Sequence, residues 1–166
     1  LLNFNIVLDS TSLQDSEKTA LQPLLDSVLA DHKLDIKRKK IEIVQVIEDV
    51  VIYSNVKQLK VVLDNIISNA IKYSSDHGTI SIINEYKYNQ LRLSIVDNGP
   101  GIRQDNIDKV FDAFYQGPAP ENSLIKGSGL GLTIVKELLM RLNGEISIQS
   151  TDSNDEGTRV QIMLPR

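Results

Sequence analysis

"VLDNIISNAIKYS", residues 62–74, is the stretch from which the rest of the chain can be ordered. Together with the residues just before it, it places Leu59, Val62, Leu63, Ile66, Ile67 and Ala70 on one face of a helix predicted over 55–74. At about 100° per residue, Asn65, Asn69 and Lys72 fall on one stripe beside that apolar face. Asparagine is only a middling helix former, yet two sit one turn apart inside this helix. One reading is a polar edge facing water. In the other, the amide oxygens coordinate Mg²⁺, a hard cation that takes oxygen ligands, and Lys72 reaches phosphate.

Working outward, Leu21, Leu24, Leu25, Val28 and Leu29 recur at helical spacing and predict an earlier helix. "KIEIVQVIEDVVIY" between the two is rich in β-branched residues and predicts two short strands or a hairpin. Beyond the central helix, "TISIINEY" and "LRLSIVD" alternate as a hairpin pair turned by "KYNQ". Residues 98–129 are mostly polar loop, interrupted by "VFDAFY". A third helix, 130–143, carries Leu130, Ile134, Val135, Leu138, Leu139 and Leu142 and stops at Asn143-Gly144. "EISIQS" and "TRVQIMLP" form a closing hairpin. The pattern is α+β: a mainly antiparallel sheet with about three helices on one face.

Composition sets the limits. The chain has 166 residues, 41% hydrophobic and 24% charged, enough for one globular domain with or without a short appendage. A net charge of −4 argues against a general nucleic-acid binder. The basic run Lys37, Arg38, Lys39 and Lys40 reads as a solvated edge or turn. Cysteine is absent and only His32 and His77 are present, which excludes disulfides and thiolate metal sites and disfavours a histidine-built one. Both histidines read as surface or turn residues. No apolar run approaches the roughly 20 residues that cross a bilayer. The start at Leu1 suggests a fragment or processed product.

Three further stretches carry chemistry. In "LRLSIVDNGPGI" strand alternation puts Asp97 on the same side as Leu91, Leu93 and Ile95, and a buried carboxylate needs hydrogen-bond donors. Either the strand ends at Val96 and Asp97 opens a turn, or Asp97 accepts from a buried ligand amine such as that of adenine. Gly99 and Gly101 would then admit the backbone close to the ring. Residues 103–126 make a loop longer than ordinary connections, with Phe111 and Phe114 as near-end anchors: a lid, or a surface excursion. Gly127, Gly129 and Gly131 in "GSGLGL" allow successive N–H groups to form an anion nest leading into a helix start. They do not match the dinucleotide fingerprint, which follows a strand directly.

These stretches, in this order, resemble the catalytic ATP-binding domain of bacterial sensor histidine kinases, in the superfamily that also holds Hsp90, MutL and type II topoisomerase ATPases. "DNIISNAIKYS" resembles the N box, "DNGPGI" the first glycine box, "VFDAFYQG" the phenylalanine box and "GSGLGL" the second glycine box. "GEISIQSTDSNDEGTRVQIMLP" resembles the family's closing hairpin. The likeness covers roughly residues 20–166. It implies a Bergerat-type two-layer α/β sandwich whose mixed, mostly antiparallel sheet of about five strands is covered on one face by about three helices, with ATP and Mg²⁺ as cofactors and a mobile lid. By the same resemblance Asn69 is the main Mg²⁺ ligand, assisted by Asn65. Lys72 and Tyr73 contact phosphate and the nucleotide edge. Asp97 binds the adenine amine, and Gly99, Gly101 and Ile102 line the base pocket. Lys126, Gly127, Ser128, Gly129, Leu130, Gly131 and Leu132 hold the phosphates, and Phe111 and Phe114 set the lid.

The superfamily's ATPases carry a glutamate where this chain has Asn65, and an amide cannot serve as general base. Asp64 is adjacent but points about 100° away around the helix. Transfer to an external acceptor is therefore preferred to hydrolysis, and such transfer relies mainly on positioning and charge neutralisation. The resemblance further implies an acceptor histidine on a separate helical dimerisation domain, and a response regulator reached through the parent protein. It implies no nucleic acid, a monomeric fragment, and a cytoplasmic position in a parent anchored in the bacterial inner membrane. Residues 1–19 are expected to be the end of the preceding helical hairpin plus a linker, and 20–166 the catalytic domain. A serine kinase of the same superfamily and a nucleotide-sensing docking module without transfer are the alternatives.

Overall fold

The computed structural model describes residues 16–99, 131–151 and 157–165. Strand β1 (Ser16–Ala20) leads straight into helix α1 (Leu21–Asp31), followed by the short helix α2 (Lys33–Lys39), β2 (Glu42–Val46) and β3 (Val51–Asn55). Helix α3 (Val56–Tyr73), the hairpin β4 (Thr79–Lys87) and β5 (Gln90–Asp97), helix α4 (Gly131–Arg141), β6 (Glu145–Thr151) and β7 (Gly157–Pro165) complete the order. A five-stranded sheet runs β2-β4-β5-β7-β6, with β2 parallel to β4 and the other pairs antiparallel. The fold is the expected α+β sandwich.

The core lies between this sheet and the helices. Ile80, Ile82, Leu91, Leu93, Ile95, Ile162 and Leu164 alternate onto one sheet face and are buried. Against them pack Leu59, Val62, Leu63, Ile66, Ile67, Ala70 and Ile71 of α3, with α1 and α4 flanking through Leu25, Val28, Val135, Leu138 and Leu139. Among the described residues the predicted apolar faces are the observed ones. Asn55 caps α3, its side-chain oxygen accepting from the Gln58 N–H at 3.0 Å. Asn143, at φ 57°, ends α4: the Asn143 N–H donates to the Met140 carbonyl and the Gly144 N–H to the Leu139 carbonyl, a Schellman motif.

The structure refines three expectations. "KIEIVQVIEDVVIY" does form two strands, but not a hairpin: β2 joins β4 in the large sheet, and β3 pairs antiparallel with β1 in a second, two-stranded sheet. The chain between them crosses from one sheet to the other, a partner choice that β-branched composition does not encode. Ser16–Ala20, expected to be linker, are strand β1, so the boundary drawn at residues 19 and 20 falls inside an element. The basic run, read as a solvated edge or turn, is the last turn of α2, with Lys37, Arg38 and Lys40 exposed but Lys39 turned in, and Lys40, at φ 53°, terminates it. Among the described residues no helix is long and apolar enough to cross a membrane.

Candidate functional site

The site is built where the C-terminal end of α3 meets the end of β5. Helix α3 stops because Ser74 turns to extended backbone while its N–H still donates to the Ala70 carbonyl at 3.0 Å. A tight turn follows, with His77 at φ 62° and the Gly78 N–H donating to the Ser75 carbonyl at 2.9 Å. On the strand side, β5 continues through Asp97, which is 7% exposed, so the alternation that placed it beside Leu91, Leu93 and Ile95 holds. Asp97 also shapes the turn after it, since its Oδ1 accepts from the Gly99 N–H at 2.9 Å. Asp97 is therefore both the buried last residue of β5 and the acceptor that shapes the turn after it. Asn98 ties the turn down, accepting from the Thr79 N–H at 2.9 Å.

The two halves touch at Gly99. A Cβ there would overlap the carbonyl oxygen of Tyr73, so only glycine lets the backbone after β5 lie against the end of α3. Tyr73, Asp97 and Gly99 are thus brought together. Along the helix axis Asn69 stands about 6 Å, and Asn65 about 12 Å, from Tyr73 at 1.5 Å per residue.

Electrostatics distinguish the residues. Burial pushes the Asp97 carboxyl up to about 6, against the opposing pull of the Gly99 and Thr158 N–H groups and of the Lys39 charge. Among the described residues no cationic side chain forms an ion pair with it. Lys72 is buried, and desolvation lowers its pKa; its ammonium sits 5.1 Å from the centroid of the Tyr73 ring, within cation–π range. Asn65 is half-buried, and its amide nitrogen donates to the Val61 carbonyl at 2.8 Å. The oxygen is thereby the end open to a cation, which suits an oxygen-seeking ion such as Mg²⁺. Asn69 is likewise half-buried on the same stripe.

Asp64 takes no part in this stripe. Its Oδ1 lies 2.7 Å from His32 Nε2 at the junction of α1 and α2, on the flank away from Asn65 and Asn69. His77 is an exposed turn residue. Gly131 and Leu132 open α4, whereas Gly101, Ile102, Phe111, Phe114, Lys126, Gly127, Ser128, Gly129 and Leu130 lie outside the described residues.

Lys39 escapes the sequence reading altogether. Within the basic run it alone is turned inward, its ammonium 2.7 Å from the Ile71 carbonyl oxygen, 3.1 Å from that of Lys72 and 2.5 Å from that of Ser74. Four adjacent cations carry no local signal for which one reaches the interior.

Residues 54–166 match the family described as histidine kinase-, DNA gyrase B- and HSP90-like ATPases. The sensor histidine kinase WalK of Bacillus subtilis is 36% identical over 84% of this chain and 23% of that protein. The phosphate regulon sensor protein PhoR of Haemophilus influenzae is 30% identical over 99% of this chain and 38% of that protein. The chain thus spans well under half the length of these curated relatives. Among solved structures, the mycobacterial sensor histidine kinase MprB superposes with a TM-score of 0.76 at 25% identity, over 90% of this chain and 96% of that one. Sequence match and superposition agree: this chain belongs to the histidine kinase-, DNA gyrase B- and HSP90-like ATPase family.

Proposed function

We propose that this chain binds Mg-ATP against the stripe of α3 and the end of β5, and donates the γ-phosphoryl group to a histidine on a separate helical domain in two-component signalling. The observation that carries the reading is Asp97: a buried carboxylate held by backbone N–H groups, with no ion-pair partner among the described residues, beside a glycine through which two backbones touch. A buried acceptor so arranged suits the exocyclic amine of adenine. Asn69 and Asn65 offer oxygens to the metal, Lys72 stands where the phosphates begin, and Gly131 and Leu132 supply N–H groups of a helix start. Bound Mg²⁺ would neutralise charge on the phosphates.

The resemblance to sensor kinases favours transfer over hydrolysis, and the site agrees. An amide occupies position 65, and the carboxylate next to it in sequence, Asp64, is paired with His32. Neither is arranged to activate water. The parent protein would present the acceptor histidine and a response regulator on the cytoplasmic side of a bacterial inner membrane.

Calorimetry with Mg-AMP-PNP tests the nucleotide site, and the expected result is binding that Asp97→Asn weakens by about a hundredfold or more. Absence of binding by the unaltered chain, or undiminished binding by the variant, overturns the assignment. Adding the helical domain of the parent should yield acid-labile phosphohistidine. An acid-stable phosphoprotein would instead indicate a serine acceptor, and no transfer despite binding would indicate a sensing module.

A further inference from the structure

Lys37, Arg38 and Lys40 are exposed; Lys39 between them is not. An ammonium has three N–H bonds, and each finds a carbonyl at the end of α3: Ile71, Lys72 and Ser74. These are groups that a helix end leaves without intrahelical partners, and a cation placed there also complements the helix dipole. The main chain tightens the same grip. The Lys39 carbonyl accepts from the His77 N–H at 2.8 Å, and the Glu42 N–H donates to the Gly78 carbonyl at 2.9 Å. The direction of Lys39 is itself set by the end of α2, where the Lys40 N–H donates to the Lys37 carbonyl and the Ile41 N–H to the Ile36 carbonyl.

The segment so clamped is one wall of the nucleotide site. Tyr73, whose carbonyl touches Gly99, lies between the clamped residues Lys72 and Ser74. We infer that Lys39 is a positioning residue for the nucleotide: by holding the Ile71, Lys72 and Ser74 carbonyls it fixes the end of α3 at the separation from Gly99 and Asp97 that the base requires. The inference rests on the nucleotide-site reading above. Lys39 also acts through space, its charge opposing the effect of burial on Asp97, while Asp76 acts on Lys39 from the adjoining turn.

The test compares Mg-AMP-PNP affinity across pH for the unaltered chain, Lys39→Met, Lys39→Arg and Lys60→Met. Each is measured at a temperature where circular dichroism shows it folded. Lys39→Met is expected to bind roughly tenfold or more weakly, because a site held loosely loses its geometry. Its binding should also fail at a higher pH than that of the unaltered chain, in which Asp97 titrates at about 6. A packing role alone would not move that midpoint. His77 shares the turn, its N–H donating to the Lys39 carbonyl, so the profile is repeated on a His77→Gln background, where the same displacement is expected. Lys60→Met, at a lysine paired 3.6 Å from Asp31, should bind like the unaltered chain. If Lys39→Met does not fold, Lys39→Arg carries the test. A planar guanidinium cannot serve three converging carbonyls, so its affinity should fall by about threefold or more. Failure of the unaltered chain to bind Mg-AMP-PNP removes the nucleotide reading itself. Binding by the unaltered chain together with equal affinity and an unmoved midpoint in the Lys39 variant overturns the Lys39 inference alone.

Discussion

The β4–β5 ladder buries two polar side chains toward the helices, Asn84 near its middle and Asp97 at one end, and the two are treated oppositely. Asn84, 5% exposed, is closed on itself: its oxygen accepts from the Glu48 N–H at 2.7 Å and its nitrogen donates to the Glu48 carbonyl at 3.0 Å. It fastens the crossover between the two sheets. Asp97, at the end of the ladder, receives backbone N–H bonds but no cationic partner among the described residues, and its carboxyl is pushed up to about 6. A buried polar group with all its bonds made inside the protein is architecture, whereas one left short of a partner in the free chain is poised for a ligand.

Asp97→Asn should break the contrast most visibly. Loss of the charged acceptor is expected to weaken Mg-AMP-PNP by about a hundredfold or more, because a site built to hydrogen-bond one group penalises a mismatch heavily. Stability should move the other way. The carboxyl is raised from 3.8 to about 6 in the fold, so its contribution is fully present below pH 3.8 and lost as pH rises through about 6. That difference corresponds to about 3 kcal/mol at neutral pH. Urea unfolding of the nucleotide-free chain at pH 7 should find Asp97→Asn more stable than the unaltered chain, with a flatter dependence between pH 4 and 7. A variant that loses both affinity and stability would make Asp97 structural, like Asn84.

Asn84→Ala supplies the reverse signature. Stripping both bonds to Glu48 removes two part-buried hydrogen bonds, at a cost of about 1–3 kcal/mol. Denaturation should report that loss while Mg-AMP-PNP affinity stays unchanged. A fall in affinity as large as that of Asp97→Asn would mean that the crossover belongs to the site.

Much of this division was legible in the residues. The apolar spacing of α3 and α4, the hairpin turned at Tyr88 and Asn89, both at positive φ, and the place of Asp97 on the buried side of β5 all follow from periodicity and turn chemistry. Strand partnership did not, because β2 and β3 have similar compositions and nothing local sends them to different sheets. Asn84 was equally silent, since its partner, Glu48, is contacted through main chain only. Lys39 shows the same limit at the site itself: its acceptors are carbonyls more than 30 positions away, and carbonyls are common to every residue.

The smallest expected effect concerns Asp64, about 100° around α3 from the asparagine stripe. His32 is raised above its usual 6.5 chiefly by the hydrogen bond to Asp64, with burial opposing. A raised histidine contributes stability that is fully present below pH 6.5 and lost as pH rises through the folded value. Asp64 is nearly half exposed, so solvent limits the contribution to under about 1 kcal/mol. Denaturation near pH 5.5 and near pH 8.5 should find His32→Gln less stable than the unaltered chain at the lower pH and almost equal at the higher. Mg-AMP-PNP affinity should be the same in both. The variant also releases the carboxylate next to Asn65, yet helix geometry still turns Asp64 about 100° from the stripe. ATP hydrolysis should therefore not rise, and a gain of hydrolysis in His32→Gln would show that the pairing, rather than the helix, keeps Asp64 from acting as a base.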